Sequence, residues 1–275
     1  MSATLALTAN GVPVDTSPDA YAALPPANDL LGDPGGLRRR MDQDGYRFIP
    51  QLLDPQVVLD ARHEILLKYA IVGEVDGRYP VDDAIAGDRA GVAGANVRAL
   101  SESVRNGEKY LAVTDAPEIL HLQSDLLGGE VKVFDMRWPR FVRPGEGCGF
   151  HCDGPYMNRA TSRIFSCWIP LGRVHRHEGA LMILEGSHTS ERLHAGYLRA
   201  DADVDGLKWL DDDPEVVRTA YGTRWLSADF EAGDVLMFGM HMLHGAFDNR
   251  SPVGRCRLTS DTRYQLRSEP ADRRW

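Results

Sequence analysis

The spacing of apolar residues changes once along this 275-residue chain, close to residue 130. Before that point apolar side chains recur every three or four residues, as Val58, Ala61, Ile65 and Tyr69 do, which is the period of an amphipathic helix. Asp54 followed by Pro55 predicts where this helix begins. A side-chain acceptor at the N-cap and a proline in the first turn are typical of helix N-termini.

A second helix is predicted to begin at Asp115 and Pro117 and to end at the glycine pair Gly128 and Gly129. The chain then breaks into short runs of β-branched and aromatic residues separated by Gly, Pro and Asn, which is typical of strands. These runs occupy residues 130–145, 162–172, 179–188, 233–247 and 255–265. Because helices come first and strands follow in succession, the order favours an antiparallel barrel or sandwich over alternating βαβ units.

The chain is expected to form an arm followed by one domain. Residues 1–36 are rich in Ala, Pro, Asp and Gly, which indicates an arm that either drapes over the domain or frays as a tail. The helices and the strand run that follow contain no internal repeat. We therefore predict that residues 37–275 form one mainly β domain, with the N-terminal helices as a supporting layer.

Composition excludes several classes of protein. Hydrophobic residues make up 43% of the chain and charged residues 26%, which is the ordinary mixture of a soluble globular protein. The formal net charge is −9, so the chain lacks the excess of basic residues with which proteins bind nucleic acids. No apolar stretch approaches the roughly 18 residues of a membrane helix. We therefore expect neither a nucleic-acid partner nor a membrane partner.

The cysteines indicate a reducing compartment. Cys148, Cys152, Cys167 and Cys256 form no C-x-x-C pair, so the sequence predicts neither a zinc ribbon nor a thioredoxin-type motif. The first residues lack the basic region and the long apolar core of an export signal. We expect reduced thiols and a cytoplasmic protein.

The sharpest chemical feature is the pair His151-x-Asp153. In a strand these residues point to the same face, about 7 Å apart, so both could bind one ion; alone, such a pair is more often a solvated coincidence. His241 and His244 lie in a later run, and because they are three apart at most one can join the pair. Two histidines and one carboxylate are the ligand set of non-heme Fe(II) oxygenases.

A co-substrate anchor is predicted at Arg255 and Arg257, which are expected on one strand face after His244. A buried guanidinium can bind a dicarboxylate through two parallel hydrogen bonds. The alternative is that both arginines pair with acids such as Asp248 or Asp261.

Substrate contacts are predicted just beyond the metal strand. The polar residues placed there are Tyr156, Asn158 and Arg159. A group of arginines upstream could reach a substrate acid or a CoA phosphate, although it fits the solvent side of a strand equally well. These arginines are Arg137, Arg140 and Arg143.

Taken together, these motifs resemble the phytanoyl-CoA dioxygenase family of Fe(II)- and 2-oxoglutarate-dependent oxygenases, in particular a bacterial branch. The resemblance is carried by "DGYRFIPQLLDPQVV", "RPGEGCGFHCDGPYM", "CWIPLG", "GALMILEGSH", "GDVLMFGMHMLHGAFDN" and "RLTSDTRYQ". It covers most of the chain after about residue 37. The H-x-D, G-S-H, G-D and H…R elements in this order are specific for the family and say nothing about the substrate.

The resemblance assigns the iron ligands to His151, Asp153 and His244. It places the arginine that holds the distal carboxylate of 2-oxoglutarate at Arg257, since "RLTSDTRYQ" matches the family's strand motif. A count from the distal histidine would choose Arg255 instead, so Arg255 stays the second candidate.

Three further positions take their meaning from the resemblance. Trp168 matches a tryptophan that lines the co-substrate pocket. Ala246 stands where the family often has a small polar residue, so a hydrogen bond from that position is missing. Asp153 stands where halogenases of the family carry a small residue that lets chloride bind, and a carboxylate here implies oxygenation.

The resemblance implies a double-stranded β-helix, or cupin-like jelly roll, with iron at its open end. The enzyme is then an oxidoreductase that hydroxylates or otherwise oxidises a small organic molecule, consumes O2 and 2-oxoglutarate, and releases succinate and CO2. Whether the substrate is a CoA ester, which oxidation it undergoes and the oligomeric state stay open. The alternatives are a non-catalytic jelly-roll protein that binds a metal or a small molecule, and a metal-dependent hydrolase.

Overall fold

The computed structural model describes residues 6–89, 97–207 and 209–275, which form thirteen β-strands and eight α-helices. The strands are β1 Thr8–Ala9, β2 Val12–Pro13, β3 Tyr21–Ala23, β4 Tyr46–Ile49, β5 Val131–Val133, β6 Trp138–Val142, β7 Cys148–His151, β8 Ile164–Pro170, β9 Leu181–Leu184, β10 Trp225–Ser227, β11 Val235–Gly239, β12 His244–Ala246 and β13 Arg257–Leu266. The helices are α1 Pro34–Asp44, α2 Pro55–Ile71, α3 Val97–Arg105, α4 Glu108–Thr114, α5 Pro117–Leu127, α6 Glu191–Ala195, α7 Ala202–Asp205 and α8 Pro214–Tyr221.

Two sheets form the body of the protein. One has five strands in the order β3-β10-β9-β12-β7, and the other follows β4-β11-β8-β13-β5, with β6 also paired to β13. The pairings are antiparallel except that of β3 with β10. From β7 to β13 the chain passes repeatedly from one sheet to the other, as it does in a jelly roll.

Successive side chains of β8 point alternately into two different apolar cores. Trp168 points into the apolar core between the two sheets, whereas its neighbours Cys167 and Ile169 point into the core between the six-stranded sheet and the helices. A shift of the strand by one residue would exchange these two sets of side chains. Burial on both faces of β8 therefore specifies its register.

The N-terminal helices pack on the outer face of the six-stranded sheet, as the sequence predicts. Leu37 of α1, Ile65 of α2 and Ile119 of α5 are buried in this layer. The predicted start of α2 is confirmed, since the Asp54 side chain accepts a hydrogen bond from the Gln56 backbone N–H. None of the helices in the described ranges is long and apolar enough to cross a membrane.

The start of α5 differs in one detail from the prediction. The helix begins at Pro117, but the residue before it is Ala116, without a side-chain cap. Asp115 instead lies 2.6 Å from Arg137, so its carboxylate is used in an ion pair and not as a helix cap. The predicted end of the helix is confirmed. Gly128 is the C-cap of α5 and has the left-handed backbone conformation typical of this position, with φ of 81°.

The described part of the N-terminal arm, from residue 6 onward, lies on the domain. The hairpin of β1 and β2 is attached to Asp248, whose Oδ2 accepts hydrogen bonds from Thr8 Oγ1 at 2.6 Å and from the Gly11 N–H at 3.0 Å. Strand β3 extends the five-stranded sheet beside β10. Helix α1 begins at Pro34, so the expected boundary at residue 36 falls within its first turn.

Candidate active site

The pairing of β7 with β12 brings His151 and His244 together. The two residues lie directly opposite each other in the antiparallel pairing, and their ring centroids are 4.3 Å apart. Strand β7 ends at His151, and Asp153 follows in a helical turn. The chain turns after His151, and this turn brings the Asp153 side chain toward the histidines. The prediction that His151 and Asp153 share one face of a strand is therefore wrong.

The ligand atoms of His151, Asp153 and His244 converge on one position. The Nε2 atoms of His151 and His244 each lie 3.9 Å from Asp153 Oδ1, and the ligand atoms of the three residues all lie within 4.8 Å of one another. Among the described residues, this is the group of His, Cys, Asp and Glu side chains whose spacing suits a metal ion.

Backbone carbonyls orient both imidazoles. His151 Nδ1 lies 2.9 Å from the Gly149 carbonyl oxygen, and His244 Nδ1 lies 3.0 Å from that of Met242. A carbonyl only accepts hydrogen bonds, so each Nδ1 carries a proton, and Nε2 is the ring atom left to bind a metal. This is the arrangement by which histidines that bind metals are held.

The carboxylate of Asp153 is held through its other oxygen. Oδ2 accepts hydrogen bonds from Ser166 Oγ at 2.7 Å and from Arg263 Nη2 at 2.8 Å. Burial of Asp153 acts to raise its pKa, but the charge of Arg263 above all, with smaller effects of the two histidines and of the Ser166 hydrogen bond, outweighs burial and holds the pKa well below its ordinary value. Asp153 is therefore an anion whose Oδ1 alone faces the histidines.

Burial and neighbouring charges act differently on the two histidines. Burial, reinforced by His151, lowers the pKa of His244 to about 4, so this ring is neutral near pH 7. Burial also acts to lower the pKa of His151, but hydrogen bonding to Cys148 and its charge raise this pKa to about 9. Metal binding at His151 therefore displaces a proton.

A cavity of about 420 Å³ opens beside the three side chains, and both histidines line it. Arg257, at the start of β13, lines the same cavity and is only 6% exposed. Its Nη1 donates a hydrogen bond to the Gly179 carbonyl, and its buried Nε has no partner among the described residues. The cavity thus combines a metal-binding geometry with an arginine that is free to bind an anion.

The fold and this site agree with the family comparison. The family model described as phytanoyl-CoA dioxygenase (PhyH) matches residues 41–256, which is most of the chain. The chain belongs to the phytanoyl-CoA dioxygenase family. The family, the jelly-roll fold class and the oxidoreductase class that depends on iron and 2-oxoglutarate, all predicted from the sequence, are therefore confirmed.

Individual relatives support the same assignment. A 1-deoxypentalenic acid 11-beta-hydroxylase from Streptomyces exfoliatus is 26% identical over 252 residues, covering 86% of this chain and 82% of that protein. The crystal structure of the non-heme alpha-ketoglutarate-dependent carbocyclase SnoK from nogalamycin biosynthesis matches with a TM-score of 0.58 at 18% identity, covering 86% of this chain and 85% of that one. The epimerase SnoN, solved in complex with Fe3+, alpha-ketoglutarate and nogalamycin RO, matches with a TM-score of 0.55 at 17% identity, covering 87% of each chain.

In this phytanoyl-CoA dioxygenase family member, Arg255 lies outside the cavity lining. Strand β13 begins at Arg257, so the predicted common strand face for the two arginines is not formed. Arg255 Nη1 lies 3.4 Å from Glu178 Oε1, and its Nε donates to the Asp83 carbonyl at 3.3 Å. The expected alternative, an arginine paired with an acid, therefore describes Arg255, although the acid is not one of those predicted.

Trp168, which the resemblance assigns to the co-substrate pocket, lies on the wall of this cavity. It is opposite Asp261 in the pairing of β8 with β13, and its ring packs against Phe230 with centroids 4.6 Å apart. With 1% of its surface exposed, this indole is a fixed part of the wall.

The three residues predicted to contact the substrate have different surroundings in the structure. Tyr156 lies beside the metal-binding geometry, with its ring 6.0 Å from that of His151 in an edge arrangement. Asn158 donates to the Ala200 carbonyl at 3.1 Å, and Arg159 pairs with Asp201 at 2.9 Å. Asn158 and Arg159 thus attach this loop to the segment around residues 200–201, and none of the three predicted residues is part of the cavity lining.

Sequence reasoning missed Arg263 and Ser166 as partners of Asp153. They lie opposite each other in the pairing of β13 with β8, so both reach Asp153 from neighbouring strands. The two-residue period of β13 carries the signal, because it places Arg263 on the same face as Arg257.

Proposed function

We propose that the chain is an Fe(II)- and 2-oxoglutarate-dependent dioxygenase that hydroxylates or otherwise oxidises a small organic molecule, with release of succinate and CO2. The observation that carries this proposal is the convergence of His151, Asp153 and His244 on a cavity that also contains the buried Arg257.

The donor set suits catalytic iron. Two imidazole nitrogens and one carboxylate oxygen on one side of an ion leave open positions for a co-substrate and oxygen. A structural zinc site is ordinarily closed by four ligands, often cysteines. We propose His151, Asp153 and His244 as the iron ligands. Bound iron supplies the activation of O2 that couples decarboxylation of 2-oxoglutarate to oxidation of the substrate.

We propose that Arg257 binds the distal carboxylate of 2-oxoglutarate. Burial lowers the pKa of this guanidinium, but its ordinary pKa is so high that it stays charged. An anion in the cavity can therefore accept a strong hydrogen bond from it. Trp168 supplies a rigid apolar part of the same cavity wall, which would help to exclude water from a bound co-substrate.

The presence of Asp153 supports oxygenation of the substrate. A carboxylate at this position occupies the place that a halide ion would need. Ser166 and Arg263 hold it there with two hydrogen bonds, so the third ligand position is filled by the protein itself.

The decisive experiment measures succinate formed from 2-oxoglutarate by the purified full chain. Release is expected only when Fe(II) and O2 are both present. Anaerobic and zinc-loaded samples are the controls. A metal-dependent hydrolase would work without oxygen, and a binding protein would retain the metal without turnover. No succinate at full iron loading and in air, with or without candidate substrates, contradicts the proposal.

We further propose a small-molecule substrate and a cytoplasmic location. The hydroxylase relative is named for a small organic acid, and the cavity of about 420 Å³ lies in the range of small-molecule pockets. The four cysteines are free thiols, which supports a reducing compartment.

A further inference from the structure

We propose that Arg140 binds a carboxylate of the substrate, so that this site takes organic acids with one carboxylate on an apolar skeleton. The proposal rests on the oxygenase function above and adds to it the chemical class of the substrate.

Arg140 differs from the neighbouring arginines of its segment. Arg137 donates through Nη2 to both oxygens of Asp115, at 2.6 and 2.9 Å. Arg143 donates to Glu74 Oε2 at 2.6 Å and to a backbone carbonyl through its other terminal nitrogen. Both guanidinium groups are thus used in structural contacts, and neither residue lines the cavity.

Arg140 lines the cavity together with both histidines and retains free donors. Its Nε donates to Asp261 Oδ2 at 2.8 Å, while Nη1 and Nη2 form no hydrogen bond within the described part of the chain. The side chain is 49% exposed although it belongs to the cavity wall. The two terminal nitrogens therefore offer an anion the parallel donors that a carboxylate prefers.

Asp261 fixes the direction of this guanidinium. Asp261 belongs to the face of β13 that also carries Arg257 and Arg263, and it is opposite Trp168 in the sheet. Because Asp261 accepts from Nε alone, it holds the planar group by one edge and leaves the other edge to a ligand. Arg140 is therefore oriented before a ligand binds.

The charged side chains around the cavity are mostly cationic. Four arginines line it, and three carboxylates oppose them, two in the lining and the third on Asp153 beside the histidines. The arginines are Arg89, Arg140, Arg257 and Arg263, and the lining carboxylates are Glu74 and Asp261. Arginines thus predominate over carboxylates in the lining, which favours anionic ligands. One free guanidinium edge, that of Arg140, offers a binding place for one carboxylate.

The remaining wall is apolar. Tyr69 and Phe141 stack with ring centroids 4.4 Å apart, and Leu181, Phe238 and Ala246 also line the cavity. Such a wall binds hydrocarbon and disfavours a substrate with many polar groups. The substrate class is therefore an acid whose skeleton is apolar.

The test compares acids with neutral alcohols that share their skeleton. Binding of cyclohexanecarboxylate and cyclohexylmethanol, and of decanoate and decanol, is measured by anaerobic calorimetry on the complex of the full chain with Fe(II) and 2-oxoglutarate. Wild type is expected to bind each acid about tenfold or more tightly than its alcohol. Arg140→Gln is expected to remove this preference, with affinity for the alcohols and for 2-oxoglutarate unchanged.

Two further variants serve as controls. The double variant Arg140→Gln/Asp261→Asn removes the carboxylate that the single change leaves without its partner, and it should lose the same preference. Arg173→Gln breaks an exposed pair with Glu231 and should retain the preference. Thermal unfolding of all variants reports whether they are folded.

Three outcomes overturn the proposal. One is that wild type shows no preference for either acid, which includes failure to bind them. Another is that Arg140→Gln weakens 2-oxoglutarate binding, which assigns Arg140 to the co-substrate. The third is that the preference survives in a folded double variant. If wild type neither binds 2-oxoglutarate nor releases succinate from it, the oxygenase function itself fails, and this result is distinguishable from the other three.

Discussion

Arg263 Nη2 donates a hydrogen bond to Asp153 Oδ2 over 2.8 Å, and this contact directs the other carboxylate oxygen toward the two histidines. The guanidinium lies over the Trp138 ring at 4.4 Å, which covers it from solvent. Its Nε and Nη1 atoms are buried and have no partner among the described residues. Arg263 is thus a positioning residue, whose effect on iron passes through Asp153.

Arg263→Gln is expected to weaken Fe(II) binding by about tenfold, because a ligand that loses its hydrogen-bonding partner is no longer held in its binding orientation. Anaerobic titration with Fe(II) gives the dissociation constant. Arg263→Lys should restore part of the affinity, since one charged donor is retained. Arg173→Gln, which alters an exposed pair, is the control. Unchanged iron affinity in a folded Arg263→Gln protein would show that Ser166 alone is enough to hold Asp153.

Arg257→Lys is expected to raise the KM for 2-oxoglutarate by about tenfold or more, because an ammonium cannot reproduce two parallel hydrogen bonds. Arg255→Lys should change this KM little, since Arg255 is paired with Glu178 outside the cavity lining. Steady-state assays at varied 2-oxoglutarate separate the two variants. The reverse result would make Arg255 the anchor, as a count from the distal histidine suggests.

The sequence was sufficient to predict residues whose chemistry is rare. An H-x-D pair, a later histidine and a strand arginine led to His151, Asp153, His244 and Arg257; the structure places the histidines and the arginine on one cavity and Asp153 beside the histidines. Their side chains carry the chemistry themselves, so residue type and order were informative. The position of Asp153 was predicted for an incorrect reason, because β7 ends at His151 and a turn takes over.

Residues that act through a neighbour could not be predicted in this way. Ser166 is an ordinary strand residue until β8 is known to pair with β13 and to place it opposite Arg263. The distinction between Arg140 and Arg143 likewise depends on long-range contacts, with Asp261 for one and with Glu74 for the other. Local sequence patterns carry no information about such pairings.

Gly245→Ala is expected to destabilise the protein by about 1–3 kcal/mol, a typical cost of overpacking a core. A Cβ atom at this position of β12 would lie 2.6 Å from Phe150 Cδ1, and Phe150 is fully buried. Gly239→Ala in β11 is the matched control, because its Cβ would lie 3.6 Å from the Phe165 ring, an ordinary contact. Urea denaturation measures the free energy of unfolding of each variant. Equal values for the two would mean that Phe150 moves aside without cost.

Asp153→Ala is expected to abolish turnover and to weaken iron binding strongly, since Oδ1 supplies the only anionic ligand of the proposed set. The same change removes one partner of a buried ion pair, because the side chains of Arg263 and Asp153 are only 6% and 4% exposed. An unpaired buried charge is costly, so the free energy of unfolding should also fall, by about 3–5 kcal/mol. Asp153→Asn keeps the side-chain volume but removes the charge, and it should likewise lose turnover. Iron content and succinate release are measured for both variants beside their thermal unfolding. Retained turnover in either one would remove Asp153 from the ligand set.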